Sequence, residues 1–126
     1  MLDVESRPAV STRSATRMKL SESSFQSVVI EIARWHGWKV FHPMPAMNAR
    51  GRWATHQIGD PGFPDLTLVH PTYGLLFAEL KSLTGRLSAA QIAWINTLRA
   101  AGCAVVVWRP SDLETIKLVL GGQHDL

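Results

Sequence analysis

The segment Gly62–Lys81, GFPDLTLVHPTYGLLFAELK, constrains the fold more than any other stretch of the chain. Two apolar runs, Leu66–Val69 and Leu75–Leu80, flank a short break containing Pro71 and Gly74. Runs of this kind, separated by a few turn-forming residues, predict a β-hairpin with a loop of about three to five residues. A loop at Pro71–Tyr73 places His70 opposite Gly74, and the same register places Asp65 opposite Glu79. Directly opposed residues have Cβ atoms about 5 Å apart. Alternation puts Glu79 and Lys81 on one face of the strand while Leu80 points the other way. Two carboxylates and an ammonium then converge on one end of an otherwise apolar hairpin.

That convergence has a chemical consequence. Two ionised carboxylates repel by about 4 kcal/mol at about 4 Å and an effective dielectric of about 20. A divalent cation between them turns repulsion into binding. Mg²⁺ favours one or two carboxylates and fills its other positions with water and phosphate oxygens. Lys81 would stabilise an anionic centre or orient a water. The alternative is structural: Asp65 caps the turn after Pro64, and Glu79 and Lys81 form an exposed strand edge. Spacing alone does not separate the two.

The rest of the chain sets the limits. Its 126 residues suit a single domain, and a 46% hydrophobic fraction is enough for one core. Only 18% of residues are charged, which excludes general disorder. The net charge of +3 is compatible with nucleic acid and weak evidence for it. One cysteine, Cys103, excludes an internal disulfide and a cysteine-based zinc cluster. It lies in an apolar run and is expected to be a buried, inert core residue. Such cysteine usage fits a reducing cytoplasm, the expected location. No stretch approaches the ~20 apolar residues of a membrane-spanning helix, and the N-terminus lacks the apolar segment of a secretory signal.

Residues 1–19 are rich in Ser, Thr and Arg without apolar period, and read as a disordered, slightly basic tail. Met18, just before the folded pattern, is a candidate alternative start. Ser21 is placed to cap a first helix, with Glu22 near its positive end. Phe25, Val28, Val29, Ile32 and Ala33 form its buried stripe, and Gly37 ends it. Glu22 lies at one end of that stripe, pointing toward whatever the helix covers. The competing reading is a surface carboxylate complementing the helix dipole. Trp38–His42 is a short strand, alternating Trp38, Val40, His42 against Lys39, Phe41, and Pro43 stops it.

Residues 43–61 read as a long irregular stretch carrying Arg50, Arg52, Trp53 and His56. Arginines hold phosphates and an aromatic ring stacks on an unpaired base, so this is a candidate DNA contact. A loop in which Trp53 packs locally is the alternative. After the hairpin come a loop with Gly85 and Arg86 and a helix capped by Ser88 and running to about Ala101. Its apolar positions include Ile92, Ile95, Leu98 and Ala101, with Trp94 beside them, and Gln91 is in its first turn. Cys103–Trp108 has the pattern of a buried parallel strand, which implies a right-handed crossover. Ser111 and Glu114 predict a capping box for a last helix with Leu113, Ile116 and Leu120 inside. The order α-β-β-β-α-β-α predicts a mixed α/β fold, a small mixed sheet flanked by helices on both faces.

Glu22, Gly62-Phe-Pro64-Asp65, Glu79-Leu-Lys81 and Gln91 resemble the PD-(D/E)XK nuclease superfamily. The specific likeness is to the virus-type replication-repair nuclease (VRR-NUC) family. It rests on GFPDL, FAELKSLTGRLSAAQIAWINTLRAAG and the VVVWRP strand, and covers residues 22–116. A bare PD with a downstream ExK arises readily by chance. The Gly before Pro-Asp, Gly85 after the lysine, the Ser88–Gln91 helix start and the element order sharpen it. The resemblance implies a restriction-endonuclease-like core over residues 20–121, followed by a short tail at 122–126. It implies a Mg²⁺- or Mn²⁺-dependent phosphodiesterase. Asp65 and Glu79 would bind metal, with the Leu80 backbone carbonyl, and Glu22 would assist directly or through water. Lys81 would orient the attacking water or stabilise the transition state, and Gln91 would help hold the site. Arg86 joins Arg50, Arg52, Trp53 and His56 as expected DNA contacts.

The family includes small stand-alone members of phage and bacteria that act on branched DNA as dimers. The resemblance therefore implies a structure-selective DNA endonuclease for branched or Holliday-junction-like DNA, of the replication, repair and recombination type. It also implies a homodimer, because one site per monomer cuts one strand at a time. Nothing in the chain is expected to supply a separate recognition domain. A different class, a nuclease-like fold that binds DNA without cutting it, predicts binding with no cleavage under any metal. A zinc or thiol hydrolase is disfavoured, since His36, His42, His56, His70 and His124 lack ligand spacing.

Overall fold

The computed structural model describes residues 20–43, 46–47, 53–54 and 58–123. Helix α1 (Glu22–Trp35) opens where the sequence places it: the Ser21 hydroxyl accepts from the Ser24 N–H at 3.1 Å. Six strands are described: β1 (Lys39–Phe41), β2 (Ala46–Met47), β3 (Trp53–Ala54), β4 (Leu66–His70), β5 (Gly74–Leu80) and β6 (Ala104–Trp108). Helix α2 (Ala89–Ala100) joins β5 to β6, and α3 (Leu113–Leu120) follows a 3₁₀ turn at Pro110–Asp112.

The main sheet has four strands in the order β1-β4-β5-β6. β4 pairs antiparallel with both β1 and β5, and β6 is parallel to β5 as the crossover through α2 requires. The hairpin register is the expected one, with His70 opposite Gly74 and Leu66 opposite Ala78.

The two faces of the sheet differ. Leu76, Ala78 and Leu80 point to the face covered by α1 and α3, where Phe25, Val29, Ile116 and Leu120 complete the larger core. Each such fully buried side chain contributes about 1.5–3 kcal/mol, so this face carries most of the stability. Phe77 points the other way and meets Ile95 and Val105 in a smaller cluster under α2. Glu79, two residues along, shares that thinner face. Trp38 Nε1 donates to the Leu120 carbonyl at 2.8 Å and ties the end of α3 to the start of β1.

Four expectations change. The 43–61 stretch is not irregular throughout: β2 and β3 pair antiparallel, with Ala46 opposite Ala54 and Met47 opposite Trp53. Ile92 is 44% exposed, because Gln91 takes the inward position of the first turn and the buried line runs Gln91, Ile95, Leu98. Ser111 caps no helix. It lies inside the 3₁₀ turn, which Asp112 closes by accepting the Arg109 N–H at 2.8 Å. Cys103 precedes β6 and is half-buried at the margin of the smaller cluster. Among the described residues no helix is long and apolar enough to cross a membrane.

Candidate active site

Asp65 immediately precedes β4, and the hairpin register carries it to the end of β5. Its Oδ2 accepts the Leu80 N–H at 2.8 Å, so the carboxylate does the work of a ladder carbonyl where the pairing ends. Its own carbonyl lies 2.9 Å from His42 Nδ1. A carbonyl oxygen only accepts, so the proton belongs on Nδ1. Gln26 Nε2 stands 3.4 Å from the same nitrogen, a longer contact that this tautomer does not use.

Glu79 is the buried charged residue of the described core, 1% exposed. Gln91 Nε2 donates to its Oε2 at 3.0 Å, and Lys81 Nζ lies 3.7 Å from the same oxygen. Oε1 is buried with no hydrogen-bond partner. Burial, and then the Asp65 carboxylate, push the Glu79 carboxyl up to about 7 from its ordinary 4.5; Lys81 opposes the shift and Glu22 adds slightly to it. Protonated, Glu79 donates toward Asp65; ionised, the pair repels and Oε1 has no donor.

Gln91 is held in one orientation. The Ser88 N–H donates to its Oε1 at 2.9 Å while its own N–H donates to the Ser88 hydroxyl at 3.1 Å, a reciprocal capping box. With Oε1 spent on the cap, only Nε2 is left to face Glu79. One residue therefore starts α2 and anchors the buried carboxylate.

The structure brings together Asp65, Glu79, Lys81 and Gln91. Leu80, between the two charged residues of β5, buries its side chain in the larger core and gives its N–H to Asp65. Glu22 does not join the group. It is exposed in the first turn of α1, which covers the opposite face of the sheet, and only its field reaches Glu79. Among the described residues no three His, Cys, Asp or Glu side chains gather into a metal-ligating cluster. Arg86 is exposed on the loop after Lys81. Arg50, Arg52 and His56 lie outside the described residues, and Trp53 is placed only as a residue of β3.

Two residues beside the site were not singled out from the sequence. His42 was legible in part, as it alternates with the inward-facing Trp38 and Val40. Arg109 belongs to the VVVWRP segment that carries the family likeness, but no role follows for it until the loop it reaches is known.

The donor set suits a small hard cation. Two adjoining carboxylates, one half-buried and the other buried with an orphaned oxygen and a raised pKa, are costly alone and are relieved by a divalent charge. Asp65 and Glu79 are the residues that would hold it.

A family model described as the VRR-NUC domain matches residues 12–112. The fold is similar to a solved VRR_NUC domain at 23% identity, covering 78% of this chain and 92% of that one, with a TM-score of 0.57. A second solved chain, a VRR_NUC domain protein, aligns at 22% identity over 82% of this chain and 92% of its own, with a TM-score of 0.48. No curated protein matches the sequence. The family match takes in the strand ends and the helix start that assemble Asp65, Glu79, Lys81 and Gln91, and the chain belongs to the nuclease-like VRR-NUC domain family.

Proposed function

We propose that the chain is a metal-dependent DNA endonuclease that hydrolyses phosphodiester bonds in branched or Holliday-junction-like DNA. The observation that carries this reading is the state of Glu79. A buried carboxylate beside a second carboxylate, with one oxygen unpartnered, is poor design for a strand end and good design for cation binding. Family membership supports the nuclease class.

A phosphodiester is an anion, so attack on it requires neutralised charge. When bound, Mg²⁺ or Mn²⁺ supplies that neutralisation and an acidified water. The chain's own residues do the rest. Asp65 is fixed through Leu80 and His42, and Glu79 through Gln91, so the two acidic groups are preorganised. Lys81 is the cation of the site. It steers the attacking water and stabilises charge that develops on the phosphoryl oxygens. Glu22 shapes the field from the site's margin. Arg86, with Arg50, Arg52, Trp53 and His56, would grip the DNA backbone or an unpaired base. Paired cuts in a junction would come from a homodimer, working in the cytoplasm.

The test is a cleavage panel of linear, nicked, flap and four-way-junction DNA with Mg²⁺, Mn²⁺ or chelator. The expected result is metal-dependent cutting that prefers branched or nicked substrates and is abolished in Asp65→Asn and Lys81→Ala. Asparagine keeps an acceptor for the Leu80 N–H, so the first variant removes charge with little change in shape. Undiminished cutting by folded Asp65→Asn protein overturns the site assignment. Binding without cutting under every metal selects the non-catalytic DNA-binding module instead.

A further inference from the structure

Lys81 lies just past the end of β5, and its N–H donates to the Trp108 carbonyl at 3.0 Å, the last backbone bond between β5 and β6. The next residue on β6's side is Arg109. Its Nη1 donates to the Ser82 carbonyl at 2.7 Å and to the Gly85 carbonyl at 2.6 Å. A single guanidinium nitrogen therefore closes the loop that leaves Lys81. The loop is also closed from within: the Gly85 N–H donates to the Ser82 hydroxyl at 3.0 Å and lies 3.3 Å from the Ser82 carbonyl. Gly85 lies over Lys81, since a Cβ there would stand 3.5 Å from Lys81 Cδ and 3.0 Å from Ser82 Oγ.

These contacts form one chain. Asp112 fixes the Arg109 backbone. Arg109 holds the two loop carbonyls, the loop lays Gly85 against the aliphatic stem of Lys81, and Lys81 Nζ stands beside Glu79. The Lys81 side chain is only 12% exposed, so its stem is confined while its ammonium stays at the site. Among the described residues the Arg109 guanidinium has no carboxylate in salt-bridge range. Its hydrogen bonds go to backbone carbonyls, the pattern of a loop clamp.

We propose that Arg109 is a positioning residue that sets the Lys81 ammonium against the Asp65–Glu79 pair by clamping the Ser82–Gly85 loop. The inference rests on the endonuclease reading for the value of that position, and not for the clamp itself. Four-carbon lysine stems are flexible, and misplacing a reacting group by about 1 Å costs up to about a hundredfold in rate. The clamp removes that freedom at the stem and leaves the charge untouched.

The experiment compares wild type with Arg109→Ala and Arg109→Lys by amide hydrogen exchange and by junction cleavage. In Arg109→Ala, exchange at the Gly85 amide is expected to speed up about tenfold or more while Leu76 and Val106 in the sheet keep their protection. kcat should fall about tenfold to a hundredfold with KM nearly unchanged. Arg109→Lys should restore part of both, and guanidinium ion well below denaturing concentration should restore part of kcat in Arg109→Ala. Unchanged Gly85 exchange overturns the proposal. So does protection lost equally at Gly85, Leu76 and Val106, which makes Arg109 a general stabiliser. If wild type cuts no DNA, the endonuclease reading falls, and Gly85 exchange still decides the clamp.

Discussion

Gln91 Nε2 reaches Glu79 Oε2 at 3.0 Å, and that bond joins the start of α2 to the buried end of β5. Because the same side chain completes the capping box with Ser88, helix nucleation and placement of the acidic group are one event. Gln91→Ala removes both. It should cost about 1–3 kcal/mol, the range spanned by a lost cap and a lost hydrogen bond to a charged group, read by chemical denaturation. Cleavage should fall with it. A variant as stable and as active as wild type would show that neither bond matters.

The raised pKa of Glu79 makes a signed prediction for the metal-free protein. A carboxyl whose pKa rises on folding keeps its proton longer in the folded state. Its contribution is fully present below the unfolded value of 4.5 and is lost as pH climbs through about 7. Metal-free wild type should therefore lose stability across that window relative to Glu79→Gln, by on the order of 3 kcal/mol in all. Denaturation midpoints of the two proteins at pH 5 and pH 8 check this. Parallel midpoints would mean that Glu79 ionises freely.

The hairpin shows how far the sequence could be read. Its register followed from Pro71, Gly74 and the lengths of two apolar runs, all of them local, and it correctly brought Asp65 to Glu79. The crossover puts Gln91 in the first turn of α2 and within reach of the Glu79 strand end, with a solvent-exposed position as the alternative, and the structure takes the first. Apolar periodicity favoured Ile92, and only the Glu79 carboxylate explains why a glutamine turns in and an isoleucine out. Glu22 reads either as a site carboxylate or as a surface one, and it lies exposed in the first turn of α1 with its charge felt at Glu79. Its helix was correctly bounded, yet the face of the sheet that α1 covers is a tertiary fact. Arg109 stands in the VVVWRP segment, but its role is not legible there because its partners are carbonyls, which every residue carries.

Gly62 docks the Asp65 segment on α2. Its φ is +99°, and an added Cβ would meet the Ala90 carbonyl carbon at 2.5 Å. Both are backbone constraints, which no side-chain rotation relieves. Close by, Phe63 packs edge-on against Trp94 at 4.9 Å between ring centroids, and Trp94 Nε1 donates to the Asp60 carbonyl at 3.1 Å. Gly62→Ala should cost about 1–3 kcal/mol from strain and overlap. It should also displace Asp65, so that cleavage at a temperature where the variant stays folded still falls. Wild-type cleavage by a measurably destabilised variant would separate the docking of this segment from the geometry of the site.

Removing the cation tests the acidic pair from the other side. A ligand that binds only the folded state stabilises it by mass action, about 1.4 kcal/mol at a free concentration of ten times Kd. Mg²⁺ or Mn²⁺ at pH 8 should raise the melting midpoint, and chelator should return it. At pH 6 the gain should shrink, because Glu79 holds its proton there and must release it before it can bind a cation. Glu79→Gln and Asp65→Asn should each lose most of the shift, since each removes one of the two charges that would hold the ion. A shift of wild-type size in Glu79→Gln would place the cation elsewhere on the protein. The orphaned Oε1 would then be a strained core atom and not half of a site.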